Sequence, residues 1–358
     1  MLDDIIHGDP AERALTRWSR RSRFAGSKDR AAVRDLVFDT LRRRSSAFWV
    51  SGASEETGRA LILGLLTQSN AEGLAALGDG VHAPPAMDAG EAAALRTLDG
   101  APRDVASDMP GFLLDAWAEG GLSEAQVDAE VAVLRNRAPV DLRVNSLRAT
   151  RDEAQASLVA EGIETEHVAS VPTALRVLTQ PRKVASSQAY RDGWVELQDS
   201  ASQHVASVMD PKPGERVLDL CAGGGGKTLA LAAKMGPSGQ IIAFDINPAR
   251  MRDLPARAAR AGANVVIADD ALLSQSLGMF DRILVDTPCS GTGAFRRNPD
   301  QKWRITPSIL SGLVRTQADI LDRAQTLLRP GGQLIYATCS SLWCENEAQP
   351  LAALDRWQ

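Results

Sequence analysis

The C-terminal half of the sequence predicts a parallel, doubly wound α/β domain, preceded by a small α+β module and an all-helical region. Three observations carry this expectation. From Gly214 onward, strand-like and helix-like segments alternate; a run of four glycines follows the first of those strands; and before Ala138 the apolar residues recur only at helical spacing. At 358 residues the chain calls for two or three domains. Its 44% hydrophobic and 24% charged residues are those of a folded globular protein.

In the first region, Ala31–Leu41 places Val33, Leu36, Val37, Phe38 and Leu41 largely on one helical face, and Ala-rich helices are expected at 59–66 and 91–98. Pro and Gly break the pattern at Ala83-Pro84-Pro85 and Pro110-Gly111. Ser123-Glu124-Ala125-Gln126 has capping-box spacing and should open a helix. Helix-on-helix packing follows for residues 1–130.

Val140–Asn145 then alternates apolar and polar residues as a half-buried strand does. A second capping box, Thr150-Arg151-Asp152-Glu153, opens a helix to about Glu161, closed by Gly162. Strand candidates at Glu166–Val168 and Ala174–Leu178 complete a linking module over 131–200. In the last domain, 201–358, strands are predicted at 216–220, 240–245, 264–268, 281–286 and 333–338, with helices at 227–235, 248–261 and 308–328. Arg329-Pro330-Gly331-Gly332 reads as the stop after the last helix.

Charge and cysteine usage narrow the function classes. The net charge is −5, yet Ala11–Arg44 carries eleven Lys/Arg against four acids, an excess of seven that leaves the rest at −12. A solvated helix face is the common reading of such a run, but one this lopsided favours phosphate contact. Acids follow Met1 where a secretory signal would be basic, and no apolar run reaches the roughly eighteen residues of a membrane span. A cytoplasmic monomer without a membrane segment is expected. All four cysteines, Cys221, Cys289, Cys339 and Cys344, fall in the last domain. No Cys-x-x-Cys occurs, and His7, His82, His167 and His204 lack ligand spacing, so neither structural disulfides nor a metal is expected.

Ligands of doubly wound sheets bind at the carboxyl ends of the strands. The first strand runs into Cys221-Ala222-Gly223-Gly224-Gly225-Gly226-Lys227-Thr228, where glycines let a backbone approach a ligand beside a helix start. The phosphate-loop pattern fails because its first glycine falls on Cys221, and the dinucleotide pattern fails at Thr228. Asp245, Asp269 and Asp286 end the next three strands. Each alone is more often a cap or turn residue. Together with the glycine loop they describe a nucleoside ligand without a phosphate grip, which favours S-adenosylmethionine over ATP or NAD: Asp245 for ribose hydroxyls and Asp269 for the adenine amine.

Cys289 follows the fourth strand in Asp286-Thr287-Pro288-Cys289, and Cys339 follows the fifth in Ala337-Thr338-Cys339. A cysteine nucleophile makes chemical sense beside such a cofactor. Carbon 5 of cytosine attacks poorly until a thiolate adds to carbon 6 and turns the ring into an enamine. A thiol of ordinary pKa is only about 3% thiolate at neutral pH. An acid hydrogen-bonded to the ring nitrogen, for which Asp286 is placed, would favour the adduct.

These same residues carry a resemblance. Asp286–Gly293 with Arg296-Arg297-Asn298-Pro299-Asp300, Ala337-Thr338-Cys339-Ser340 and Glu345-Asn346-Glu347 closely resemble the Nol/Nop/Sun RNA 5-methylcytosine methyltransferases. Gly26–Arg30, Leu142–Asn145 and Glu196–Gln203 extend the likeness over most of the chain. It implies a Rossmann-like S-adenosylmethionine-dependent methyltransferase domain, an all-α NusB-like RNA-binding domain before it, and the linking module between. It further implies that Cys339 is the nucleophile, that Cys289 serves product release, and that Cys221, Ala222, Gly223, Gly224, Gly225, Gly226, Lys227, Asp245, Asp269 and Asp286 hold the cofactor. The residues themselves do not rank the two cysteines. The substrate implied is ribosomal RNA, 16S in particular; a transfer-RNA enzyme of the same family and a non-catalytic RNA-binding protein are the alternatives.

The sequence also departs from the family. Gly224 stands where proline is usual, which should loosen the loop; Thr287 replaces alanine, Asn298 replaces histidine, and Trp343-Cys344 replaces a Pro-Glu pair, making Cys344 a bystander. Only eleven residues follow Glu347, so the family's final strand pair is expected to be missing and the domain short at its C-terminal edge.

Overall fold

The computed structural model describes residues 1–79 and 83–357, so His82 lies outside the described residues. The chain divides into two units. One comprises 1–138, 290–311 and 339–344; the other comprises 139–289, 312–338 and 345–358.

The first unit is helical. Ser27–Arg42 buries Val37, Phe38 and Leu41 against Leu2, Ile5, Ala14 and Leu15; of the predicted apolar face, Val33 is only partly buried and Leu36 is exposed. Arg44–Ser51 and Gly58–Ser69 cross closely: a Cβ at Gly64 would lie 1.8 Å from the Ala47 carbonyl, so only glycine fits there. The helix expected at 91–98 spans only Ala89–Ala94. Tertiary bonds take over beyond it, where Arg96 donates its amide to the Val50 carbonyl and its Nε to the Trp49 carbonyl, and its guanidinium stacks on the Trp49 ring. Glu124–Leu134 begins at the predicted capping box, with the Ser123 amide donating to Gln126 Oε1 at 2.9 Å.

Two later stretches complete this unit. Lys302 is buried at 2% exposure and donates Nζ to the carbonyls of Arg42 (2.9 Å) and Asp108 (2.7 Å). Trp303 donates to the Leu41 carbonyl at 2.7 Å, and Trp117 Nε1 to Ser341 Oγ at 3.1 Å. Lys302 therefore belongs to the core, whereas Arg297 and Arg304 on either side of it are exposed.

The second unit holds two sheets. The antiparallel one has the order β2-β3-β1-β4, from β1 (Val140–Val144), β2 (Thr165–His167), β3 (Ala174–Val177) and β4 (Val195–Leu197). The first three were legible in the sequence; β4, three residues long, was not. The predicted helix is Arg151–Ala160, capped by Thr150 and followed by Gly162 at φ +78°.

The parallel sheet has the order β7-β6-β5-β8-β9, from β5 (Arg216–Asp219), β6 (Gln240–Ala243), β7 (Val265–Ile267), β8 (Phe280–Asp286) and β9 (Leu328–Ala337). Alternate residues serve opposite faces. Leu218, Ile242 and Ile283 join one core with Ala324 and Leu327; Val217, Ile241 and Leu284 join another with Ala206, Leu231 and Met235. Both faces are thus covered by helices, which is the doubly wound arrangement. Two local differences from expectation have simple causes. Residues 248–261 form a 3₁₀ turn, Pro248–Met251, and then a helix, Leu254–Ala261, since Pro255 suits only a helix's first turn. The helix Pro307–Leu327 passes directly into β9, and residues 329–332 sit in a register shift between the pairs Phe280/Leu328 and Arg282/Gln333.

Candidate active site

The site is built at the carboxyl ends of β5, β6 and β8. After β5 the chain turns through Gly223 (φ +52°) and Gly225 (φ +79°), left-handed conformations that favour glycine. A Cβ at Gly225 would come within 2.2 Å of Leu254 Cδ1. The turn is closed by Gly225 N–H donating to the Ala222 carbonyl at 2.8 Å, and Gly226–Met235 follows as a helix. Its first amides lack intrahelical acceptors and so can meet a ligand.

Asp245, 2% exposed, braces this loop from the end of β6. Its carboxylate accepts from the Gly223 amide, the Asn247 amide and Arg250 Nη1, each at 2.9 Å. A ribose hydroxyl would share an oxygen or displace Arg250, whose side chain is 55% exposed. Asp286 ends β8 and pairs with Lys227 Nζ at 2.7 Å, so a loop residue and a strand-end acid form one cluster. Asp269 is placed differently. It lies beyond β7 at the sheet's edge, is exposed, and caps the helix Asp270–Ser274 by accepting from the Leu272 amide at 2.9 Å.

Asp219 belongs to the site, though the sequence reading passed over it. At 1% exposure it accepts from Thr228 Oγ1 at 2.7 Å, while its other oxygen has no partner. Burial, opposed by the Thr228 bond, pushes its carboxyl up to about 7. The available signal was position: Asp219 ends β5 just as Asp286 ends β8.

The cysteines separate by environment. Burial first, then the charges of Asp219, Asp245 and Asp286, push the Cys221 thiol up to about 12, which makes it a poor nucleophile at neutral pH. Cys289 is partly buried and stands three residues beyond β8 in the unit that holds the sheets. Cys339 is exposed and stands two residues beyond β9, opening the segment 339–344 of the helical unit. Cys344 is partly buried. The parent strands are neighbours, with Asp286 in register with Ala337.

The basic segment sorts itself in the same way. Arg17 pairs with Asp4 and Asp9, Arg34 with Glu12, Arg42 with Asp39 and Arg44 with Glu56. Arg13, Arg20, Arg21, Arg23, Lys28 and Arg30 are exposed, near an exposed Phe24. Among the described residues there is no group of three His, Cys, Asp or Glu able to hold a metal, and no helix long and apolar enough to cross a membrane.

A five-stranded parallel sheet, a glycine turn after its central strand and acids at the adjoining strand ends define a Rossmann-like S-adenosylmethionine-dependent methyltransferase domain. The family model described as 16S rRNA methyltransferase RsmB/F matches residues 206–358, and that of the RsmF/B-like ferredoxin-like domain matches 109–185. The chain is 32% identical to a ribosomal RNA small subunit methyltransferase B of Citrobacter koseri, over 92% of this chain and 83% of the relative. It is 34% identical to a probable enzyme of that name from Synechocystis, over 67% of this chain but only 55% of the relative's length. A solved methyltransferase homologue from Pyrococcus horikoshii is 28% identical, with a TM-score of 0.56 over 69% of this chain and 83% of that one. The chain belongs to the ribosomal RNA small subunit methyltransferase B family.

Proposed function

We propose that the protein methylates carbon 5 of a cytosine in RNA, with 16S ribosomal RNA as substrate and S-adenosylmethionine as donor. The observation that carries this reading is the parallel pairing of β8 with β9. It sets Asp286 opposite Ala337, so that the Thr-Pro-Cys and Thr-Cys-Ser segments continue from adjacent strand ends, one strand from the glycine loop. The family relationship supports RNA methylation, and the name of the relatives supports 16S ribosomal RNA.

The residues present suit the cofactor. The left-handed turn at Gly223 and Gly225 leads into the helix Gly226–Met235, whose first amides lack intrahelical acceptors, and Asp219 keeps an acceptor unmet. Residues 221–227 and Asp245 would hold the nucleoside and amino-acid parts, with Asp269 reaching the adenine amine through its uncapped oxygen. Bound there, the cofactor supplies an electrophilic methyl group. Cys339 then adds as thiolate to carbon 6 of the cytosine, and Asp286 hydrogen-bonds the ring nitrogen, drawing charge away from the ring. Once carbon 5 is methylated, its proton leaves to a base and the carbon 6–sulfur electrons return to Cys339. Cys289 assists this release. The exposed Arg and Lys side chains of residues 13–30 would hold RNA phosphates.

Two variants test the division of labour. Cys339→Ala abolishes methylation and keeps cofactor binding, whereas Cys289→Ala accumulates a protein–RNA adduct that survives denaturing electrophoresis. An adduct in Cys339→Ala instead reverses the roles. Bisulfite sequencing of ribosomal and transfer RNA from cells with and without the protein identifies the substrate; a lost signal in transfer RNA alone overturns the 16S reading.

A further inference from the structure

The glycine loop is held from behind by the antiparallel sheet of the same unit. Arg143 on β1 is 3% exposed and donates Nη1 to the Gly226 carbonyl at 2.7 Å and to Gln198 Oε1 at 3.1 Å. Arg257 donates Nη1 to the Gly224 carbonyl and Nη2 to Glu196 at 2.9 Å. Glu196, on β4 and 3% exposed, also pairs with Arg260, and Asn145 Nδ2 donates to the carbonyls of Gly193 (2.9 Å) and Ala261 (2.8 Å). Two loop carbonyls are therefore gripped by guanidinium groups, one rising from the small sheet itself and one anchored to it through Glu196.

Neither arginine is placed for packing alone. Arg143 forms no ion pair among the described residues, and burial lowers its pKa to about 10. A buried guanidinium with no carboxylate bonded to it, only the nearby charge of its cross-strand neighbour Glu196, is costly, and it is retained here on a carbonyl of the loop. A run of four glycines loses more conformational freedom on ordering than any other sequence. In a trans peptide the carbonyl and the N–H point in opposite directions, so fixing the Gly226 carbonyl aims the Lys227 amide away from the small sheet. Gly224 is compatible with the grip because a Cβ there would lie 3.3 Å from Arg257 Nη1.

We propose that Arg143 and Arg257 are positioning residues for the cofactor loop, and that the antiparallel sheet acts through them to set the enzyme's affinity for S-adenosylmethionine. This rests on the reading that residues 221–227 hold that cofactor. Calorimetry with S-adenosylhomocysteine on the full chain tests it. Arg257→Met weakens binding about tenfold, the scale of one charge-assisted hydrogen bond, and Arg257→Lys recovers part of the loss. Glu196→Gln, which touches no loop atom, weakens binding less but measurably. Arg143→Lys has an effect like Arg257→Met if it folds; the Arg257 and Glu196 variants decide the matter if it does not. In turnover, the KM for S-adenosylmethionine rises while kcat at saturating cofactor and the KM for RNA stay near wild type, a split that simple destabilisation does not produce. Unchanged affinity in Arg257→Met and Glu196→Gln overturns the proposal. A wild-type protein that binds no S-adenosylhomocysteine overturns the cofactor reading itself.

Discussion

Asp108 in the helical unit and Asp219 in the unit of the sheets are both buried almost completely, and the two are treated in opposite ways. Asp108, in the helical unit, accepts from the Ser46 amide and hydroxyl at 2.8 Å each and pairs with Arg135 at 3.1 Å. Asp219, at the end of β5, has one hydroxyl partner and one oxygen with none. Burial raises both carboxyl pKa values. A buried acid kept for architecture is surrounded by donors, since an unanswered acceptor costs about 1–3 kcal/mol. One left short of donors next to a glycine turn is what a ligand site requires before its ligand arrives.

The sharpest way to break this comparison is Lys302→Met. It removes the ammonium from a site where burial already holds its pKa down to about 7, and strands the Arg42 and Asp108 carbonyls and the nearby Asp108 charge. A loss of about 3–5 kcal/mol is expected in urea denaturation, with Lys302→Met/Asp108→Asn losing less than the two single changes added together. A loss below about 1 kcal/mol would mean that the network is not structural.

Asp219→Asn probes the other side. The folded carboxyl at about 7 lies above its unfolded value of 3.8. Its contribution to stability is therefore full below pH 4 and lost as pH rises to about 7, because the unfolded chain releases the proton first. Relative to wild type, Asp219→Asn gains on the order of 4 kcal/mol across that window. Parallel stability–pH curves for the two proteins would falsify the assignment. Next in size, Asp245→Ala frees the Gly223 and Asn247 amides and should weaken S-adenosylmethionine binding by roughly 1–3 kcal/mol in calorimetry. Smallest is Thr150→Ala, which opens the capping box of the helix Arg151–Ala160 and should cost about 1 kcal/mol of stability with no change in cofactor affinity.

What could be read from the sequence was local or periodic. The capping boxes at Ser123 and Thr150, the alternation in β1 and the five parallel strands all declare themselves within about ten residues. The glycine loop and the acids at the strand ends followed from a rule about sheets. The misses share a different cause. β4 is only three residues long, too short to show a period, and the helix after Ala89 stops because of bonds to Val50 and Trp49. Nothing local marks Lys302 as buried, since its partners lie 194 and 260 residues away. Arg143 sat inside a recognised strand, yet nothing local shows that its side chain reaches Gly226, 83 residues on.

The distant origin of the pieces that complete the helical unit bears on how the protein is made. Its first 138 residues leave the ribosome with the recess for Lys302 unfilled, and Trp117 waits for Ser341, 224 residues later. At typical translation rates of about 5–20 residues per second, Lys302 follows Asp108 by roughly 10–40 seconds. Throughout that interval the nascent helices expose a carboxylate-lined hollow and apolar surface that the finished protein hides. The unit that comes first in the chain is thus among the last to be completed.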